Sequence, residues 1–144
     1  MWGRNIAIEY RDAEGKSERL PDLAADLVRL KVDVIVTVAA LPALAALDAT
    51  RTLPTVFIGA ADPVTSGIVS SLAQPGGNVT GLSLLLPELV GKRLELFEQA
   101  VPGISRIAIL WQPGGSGKQT ERDLSRGAEA AARALGLQLL PVEA

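Results

Sequence analysis

The chain has 144 residues with 14 basic and 16 acidic side chains, a formal net charge of −2, so it has no basic surplus to neutralise the phosphates of DNA or RNA. It contains neither cysteine nor histidine, which excludes thiolate and imidazole metal sites, a cysteine nucleophile and a Ser-His-Asp triad. Hydrophobic residues make up 48% of the chain, which is typical of a globular protein with one core or with one core and part of another.

Aromatic residues make up only 3% of the chain, too few for the stacking platform of a protein that binds single-stranded nucleic acid. No uninterrupted apolar run reaches the roughly 18 residues of a membrane-spanning helix. The first ten residues, MWGRNIAIEY, have neither the basic start nor the apolar core of a secretory signal. The balanced charge and the few aromatic residues together mean that nucleic acid is not expected as a partner.

Six segments of strand length follow one another along the chain, and several are near-continuous runs of Val, Ile and Leu. Such runs are typical of strands that are covered on both faces, as in a parallel sheet. The predicted strands are 6–10, 32–38, 54–59, 79–84, 106–112 and 137–143.

Between the strands, apolar residues recur at the spacing of one helix face. Strand and helix alternate throughout, which predicts an α/β fold: an open, doubly wound parallel sheet with helices on both faces. The three stripes are Leu20, Leu23, Ala24, Leu27 and Leu30, then Val90, Leu94, Phe97 and Val101, then Leu124, Ala128, Ala131 and Leu135.

Two dipeptides containing proline predict helix starts. Asp62-Pro63 offers a side-chain acceptor at the cap and a preset φ at the first helical position. Leu86-Pro87-Glu88 adds an acid in the first turn, where it meets the positive end of the helix dipole. Asp62 also follows a predicted strand, at the sheet edge where α/β proteins bind ligands. It is therefore interpreted as a helix cap, as a ligand contact, or as both.

The segment RIAILWQPGGSGKQT, residues 106–120, has the strand, glycine-rich loop and helix order of a phosphate-binding loop. Such a loop requires Gly, four residues, then Gly-Lys and Ser or Thr. Gln112 stands where the first Gly should be and Gln119 where the hydroxyl should be. The segment is therefore predicted to be an ordinary connection between a strand and a helix. No dinucleotide fingerprint follows any strand either.

A cluster of polar residues at 9–14 ends the first predicted strand. Nothing in its spacing singles out a pair of carboxylates for acid-base work, so it is interpreted as a solvated loop. Neither a catalytic residue nor a metal or cofactor is predicted.

Four stretches together resemble one family, the ABC transporter substrate-binding proteins of the uncharacterised, tryptophan- and tyrosine-binding-like group, with the type I periplasmic binding protein fold. The most specific part is DPV followed by a Leu-Ala-x-Pro-Gly-Gly-Asn-Val-Thr-Gly string. The stretches are GRNIAIEYR (3–11), ERLPDLAADLVRLKVDVIVT (18–37), DPVTSGIVSSLAQPGGNVTGLS (62–83) and ELVGKRLELFEQAVPGISRIAILWQP (88–113).

The resemblance implies two Rossmann-like lobes that close over a small ligand. It implies a first lobe at 1–86 that lacks its first strand and helix, a crossing helix at 87–103, and the truncated beginning of a second lobe at 104–144. Because closure supplies much of the buried contact area of a cleft binder, the 144 residues alone are expected to bind no amino acid tightly. Their cut strand edges are expected to favour self-association.

The resemblance also implies the ligand-facing positions, which lie after the strands. Family members tend to carry a hydroxyl-bearing triplet such as Gly-Thr-Pro where this chain has Ala39, Ala40 and Leu41, and Ala offers a ligand only its backbone amide. The implied ligand-binding residues are Ala39, Ala40, Ala60, Asp62, Ser83 and Gln112, flanked by Val38, Ala61 and Pro113.

The implied function is that of a non-enzymatic, substrate-binding component of an ABC uptake transporter, which captures a small amino-acid-like solute and passes it to a membrane permease. The implied location is periplasmic, or anchored to the membrane outside the cytoplasm. The alternative is a cytoplasmic α/β regulatory or nucleotide-linked enzyme domain. The failed phosphate-loop spacing and the lack of His and Cys count against that alternative.

Overall fold

A computed structural model describes residues 5–112 and 118–143 of the chain. Strands and helices alternate along most of it. A short 3₁₀ turn at Ser17–Arg19 comes first, followed by α1 (Leu20–Arg29), β1 (Ile35–Val38), α2 (Ala40–Ala49), β2 (Thr55–Ala60), β3 (Val79–Ser83), α3 (Leu86–Ala100), β4 (Arg106–Trp111), α4 (Lys118–Ala134) and β5 (Gln138–Glu143).

The strands form two parallel sheets. The first has the order β1-β2-β3, and the second pairs β4 with β5. Ile35 lies opposite Thr55, which lies opposite Val79, and Arg106 lies opposite Gln138. Parallel neighbours need crossover connections. Helix α2 connects β1 to β2, and helix α4 connects β4 to β5. The predicted α/β class with parallel sheets is confirmed.

The core of the first sheet lies between the sheet and α2. Alternate residues of β1 and β2 point to this side, including Ile35 and Phe57. Alanines cover the facing side of α2, and their small size lets the helix approach the strands closely. The buried cluster is Ala40, Ala43, Leu47, Phe57, Ala60, Ile68, Val69 and Val79.

A second core joins α3 and α4 to the sheet of β4 and β5. Its fully buried members are Leu94, Ala128, Ala132 and Leu137. The two helices touch at Gly127, where an added Cβ would lie 2.9 Å from Cγ1 of Val90. Glycine is therefore the residue that permits this close helix contact.

The opposite face of the first sheet is apolar and largely open to solvent. Paired residues of parallel strands share a face, and Val38, Ile58 and Leu82 are paired across the three strands. Val38 is 68% and Leu82 is 66% exposed. A continuous strip of this sheet thus lacks the cover that α2 gives to the other face.

The prediction of a strand at 6–10 is wrong, because this segment forms no ladder with any strand in the described part of the chain. Its apolar residues Ile6, Ile8 and Tyr10 are exposed. A strand needs a neighbour to satisfy its backbone groups, and an apolar pattern does not say whether one is present. The Arg11 guanidinium instead pairs with Asp26 of α1, Nε to Oδ2, at 2.6 Å.

The prediction of a helix starting at Asp62-Pro63 is also wrong, whereas α3 does begin at Leu86, as the second proline signal predicts. The chain makes a single turn, in which Ser66 N donates to Asp62 O. Gly67 then adopts φ +75°, which ends the turn, and buried Ile68 and Val69 follow. The crossover from β2 to β3 is therefore irregular rather than helical.

Candidate functional site

A cavity of about 190 Å³ lies where the carboxyl ends of the strands meet the segments that follow them. Three segments line it: the first turns of α2, the turn at 62–67, and the first turn of α4. The carboxyl edge of an open parallel sheet is where α/β proteins bind ligands. The lining residues are Ala40, Leu41, Leu44, Thr65, Ser66, Lys118, Gln119 and Thr120.

Ala39 connects β1 to α2 with unusual backbone geometry. Its φ is +69° and its ψ is −179°, a region that glycine occupies readily and that costs other residues energy. Its N–H donates to Ile58 O at 2.9 Å. Among the residues that the structure describes, no side chain caps the first N–H groups of α2, which an α-helix cannot satisfy internally.

The turn at 62–67 is organised by Asp62. Its Oδ1 accepts hydrogen bonds from the backbone N–H of Val64 at 3.1 Å and of Thr65 at 3.0 Å, as the capping signal predicts, although no helix follows. Burial raises the pKa of Asp62, but hydrogen bonds from the Thr65 side chain and from the two N–H groups outweigh it, so this pKa lies below its ordinary value. The carboxylate therefore stays ionised and holds Thr65 and Ser66 in the cavity wall.

A hydroxyl pair joins the turn of the first sheet to the helix of the second. Ser66 Oγ and Thr120 Oγ1 lie 3.3 Å apart, although they are 54 positions apart in the chain. Thr120 is only 1% exposed. Because a buried hydroxyl needs a partner, this contact ties the two parts of the molecule together at the cavity.

The structure places the sequence-predicted site residues in three different surroundings. Ala40 lines the cavity, Ala39 immediately precedes it, and Asp62 shapes the turn that contributes to the wall. Ala60 is fully buried beneath the site. Ser83 Oγ accepts from Leu85 N at 3.1 Å, in the connection to α3.

Gln112 lies elsewhere, in a second cavity of about 300 Å³. This cavity lies between the sheet of β4 and β5 and the helices α3 and α4. Its wall is mostly apolar and includes Val90, Ile109, Trp111 and Leu139. Pro113 and the glycine-rich loop at 113–117 lie outside the described residues. Lys118 and Gln119, which filled the last two positions of the phosphate-loop comparison, begin α4.

Sequence reasoning missed most of the first cavity's polar wall. Thr65 and Ser66 come three and four positions after Asp62, and their place shortly after a strand is a signal that could have identified them. Lys118 and Thr120 gave no such signal, because only the packing of α4 brings them to the first sheet. Seven lining residues were not predicted: Leu41, Leu44, Thr65, Ser66, Lys118, Gln119 and Thr120.

Within residues 5–112 and 118–143, no group of three acidic side chains is placed to hold a metal ion. Among the helices of these same two ranges, none is both long and apolar enough to span a bilayer.

Comparison with known proteins gives the chain a family. The family model described as ABC transporter substrate binding protein matches residues 2–144. A tyrosine-binding protein of Clostridioides difficile (strain R20291) is 34% identical over 109 residues, which is 76% of this chain and 31% of that protein.

Two solved structures share the fold along nearly the whole chain. A conserved domain protein from Vibrio cholerae O1 biovar eltor is 33% identical with a TM-score of 0.84, covering 99% of this chain and 46% of that one. An ABC domain in complex with L-Trp, from Streptococcus pneumonia, is 25% identical with a TM-score of 0.80, covering 96% and 46%. The chain thus spans about half the length of these structures and about a third of the tyrosine-binding protein. It belongs to the family of ABC transporter substrate binding proteins.

Proposed function

We propose that this protein is the substrate-binding component of an ABC uptake transporter and captures a small amino-acid-like solute in the cavity between its two sheets. The observation that carries the proposal is the position of this cavity, which both parts of the molecule line at the carboxyl ends of their strands. The tyrosine-binding relative and the structure in complex with L-Trp support an amino acid as the class of solute.

The cavity wall has the mixed chemistry that an amino acid requires. Ala40, Leu41 and Leu44 of α2 present apolar surface, while the turn at 62–67 and α4 present hydroxyl, amide and ammonium groups. A few placed polar groups in an otherwise apolar site fix the orientation of a ligand. At about 190 Å³ the space is below the roughly 300–1,000 Å³ that is usual for drug-sized ligands, which favours a small solute.

The two sheets are the basis for two lobes. In this proposal residues 1–86 belong to the first lobe, 87–103 form the crossing helix and 104–144 begin the second lobe. The lobes close around the solute as hinged domains do. Separate buried clusters, one on each sheet, support independent movement of the two parts.

The transport role has three further parts. The protein performs no catalysis, acts outside the cytoplasm as a periplasmic or membrane-anchored protein, and hands its solute to a membrane permease. Membership of a substrate-binding family supports each of these. The predicted ligand-facing set, Ala39, Ala40, Ala60, Asp62, Ser83 and Gln112, is retained as part of the proposal, with Ala40 as its member on the cavity wall.

The test is titration calorimetry with the twenty L-amino acids, on the product of the complete reading frame and on the 144 residues alone. We expect saturable binding by the complete product and much weaker binding by the shorter chain. Leu44→Ala, which removes apolar wall, should weaken binding. Leu96→Ala removes an exposed leucine of α3 and serves as the matched control. A folded complete product that binds none of the twenty would refute the proposal.

A further inference from the structure

We propose that Ser66 and Thr120 form a latch between the two parts of the molecule, which favours their closed arrangement even without solute and thereby raises the affinity for it. The first part is the β1-β2-β3 sheet with α2, and the second is the β4-β5 sheet with α3 and α4. The inference rests on the proposed function, to which it adds a pair of positioning residues. The contact that carries it is the hydrogen bond between the two hydroxyls, 3.3 Å between oxygens.

Ser66 is fixed to the first part through the backbone around it. Its N–H donates to Asp62 O at 3.0 Å, and two residues later the N–H of Ile68 donates to Pro63 O at 2.9 Å. Ile68 is buried in the core of the first sheet. The Ser66 hydroxyl is therefore held at a set place on the edge of the first part.

Thr120 is fixed to the second part through α4, in whose first turn it lies. This helix is anchored by Ala128 and Ala132 in the core of the second sheet and by its close contact with α3 at Gly127. Thr120 is 1% exposed, whereas the two residues before it are exposed. Because its hydroxyl meets Ser66 across the boundary between the parts, their separation would open it to water.

The described chain passes from the first part to the second through Leu84 and Leu85, between β3 and α3. The N–H of Leu84 donates to Ala60 O at 2.9 Å, which ties this end of the connection to β2. Leu85 has φ +47° and ψ +40°, a left-handed conformation that is uncommon for residues other than glycine. Hinged domains move through changes at a few residues of this kind of connection. Opening about it breaks the bond between Ser66 and Thr120.

The length of the latch bond sets its strength. Hydroxyl oxygens joined by a hydrogen bond usually lie about 2.5–3.0 Å apart, so 3.3 Å places this bond among the weaker ones. Loss of a neutral bond of this kind is expected to change an equilibrium about two- to fivefold. A latch of this strength favours closure and still lets the parts separate. Because it carries no charge, the screening by salt that weakens ion pairs should leave it unchanged.

Removal of the two hydroxyls should have unequal effects. Ser66→Ala takes this partner from the buried Thr120 hydroxyl, a cost that applies only to the closed arrangement, because water reaches the hydroxyl in the open one. Thr120→Val leaves the hydroxyl of Ser66, which is only half-buried and can turn to water. Removing both hydroxyls also removes that cost, since apolar groups need no partner. Ser66→Ala should therefore open the protein most.

The experiment measures the distance between spin labels at the far ends of α2 and α4, in the complete product without solute. Both helices begin at the cavity and lead away from it, so this distance reports how far the two parts have opened. Asp48→Cys and Arg133→Cys supply exposed labelling sites. The 144 residues contain no cysteine, and any cysteine in the rest of the product is replaced by serine.

We expect Ser66→Ala to lower the ratio of closed to open molecules about two- to fivefold. Ser66→Thr keeps the hydroxyl and should leave the ratio near the wild-type value, and adding Thr120→Val to Ser66→Ala should move it back towards that value. Ser125→Ala is the matched control, because it removes a hydroxyl contact of the same length, 3.3 Å to Glu129 Oε1, from an exposed position of α4. The Kd for L-tyrosine or L-tryptophan should rise as the closed fraction falls.

Two outcomes would overturn the latch, with melting temperatures showing that the variants are folded. One is an equal ratio for Ser66→Ala and Ser125→Ala. The other is a double variant that is more open than Ser66→Ala, since the two losses would then act independently. The distances are measured without solute, so they decide on the latch even if the protein binds none of the twenty amino acids, a result that refutes the proposed function alone.

Discussion

At the level of single residues, Ala39 has an unusual backbone conformation immediately before the helix that lines the cavity. Its φ of +69° is kept although the residue is not glycine, and such geometry tends to cluster at functional positions. The geometry orients the start of α2 towards the cavity, where Ala40 and Leu41 form part of the wall. Strain at this point is thus coupled to the placement of the cavity wall.

Replacing Ala39 by Gly should stabilise the protein. Relief of the strained φ, about 1–3 kcal/mol, exceeds the gain in entropy of the unfolded chain, about 0.5–1 kcal/mol. Urea unfolding should therefore give a higher free energy of unfolding. Ala45→Gly, in the middle of α2, is the control and should cost about 1 kcal/mol. Equal losses for the two variants would contradict this account of Ala39.

The residues of the site were only partly predictable. Ala40 was implied by a resemblance. Thr65 and Ser66 lie within four positions of Asp62, so a search of the loop after each strand would have included them. Lys118 and Thr120 reach the cavity because α4 packs across from the second sheet. Contacts between residues so far apart in the chain leave no trace in local sequence spacing.

At the level of elements, apolar stripes predicted α1, α3 and α4, and each stripe buries at least one residue: Ala24 in α1, Leu94 in α3 and Ala128 in α4. Segment 6–10 shows the limit of such patterns, since pairing depends on a neighbour rather than on the segment itself. The turn at 62–67 shows another limit. Asp62 accepts the predicted capping hydrogen bonds, but Gly67 adopts a left-handed conformation one turn later and no helix continues.

Two glycines lie where α3 meets α4, and only one of them is required for close approach. An added Cβ at Gly91 meets Ala131 Cβ at an ordinary 3.6 Å, whereas one at Gly127 meets Val90 at 2.9 Å. We expect Gly91→Ala to stabilise by up to about 1 kcal/mol through helix propensity. Gly127→Leu should destabilise by about 1–3 kcal/mol through overpacking. Thermal unfolding of both variants tests this, and a stabilising Gly127→Leu would show that the helices separate easily.

At the level of the whole molecule, one face of the first sheet is apolar and open to solvent. Val38, Ile58 and Leu82 form a row across three strands, and apolar surface of this kind marks a contact that is made elsewhere or a tendency to aggregate. The 144-residue chain on its own leaves this row exposed. The oligomeric state of this chain in solution should depend on the exposed row.

The isolated 144-residue chain is therefore expected to self-associate as its concentration rises. Val38→Lys combined with Leu82→Lys should shift it towards a monomer, because charges on the sheet face oppose association. Leu96→Lys with Phe97→Lys, at exposed positions of α3, is the control and should have a smaller effect. Light scattering across a concentration series provides the measurement. A wild-type chain that stays monomeric at high concentration would contradict the expectation.

The parallel strand order also has a kinetic consequence. Ile35 pairs with Thr55, Thr55 with Val79, and Arg106 with Gln138, so each ladder contact closes a loop of roughly twenty residues or more. No hairpin joins any two strands within the described ranges, and the chain must meet the entropic cost of loop closure before any ladder forms. Helices form in about a microsecond and long-range ladders far more slowly. Refolding should therefore proceed through early helices whose docking brings the strands together, at a rate set by topology.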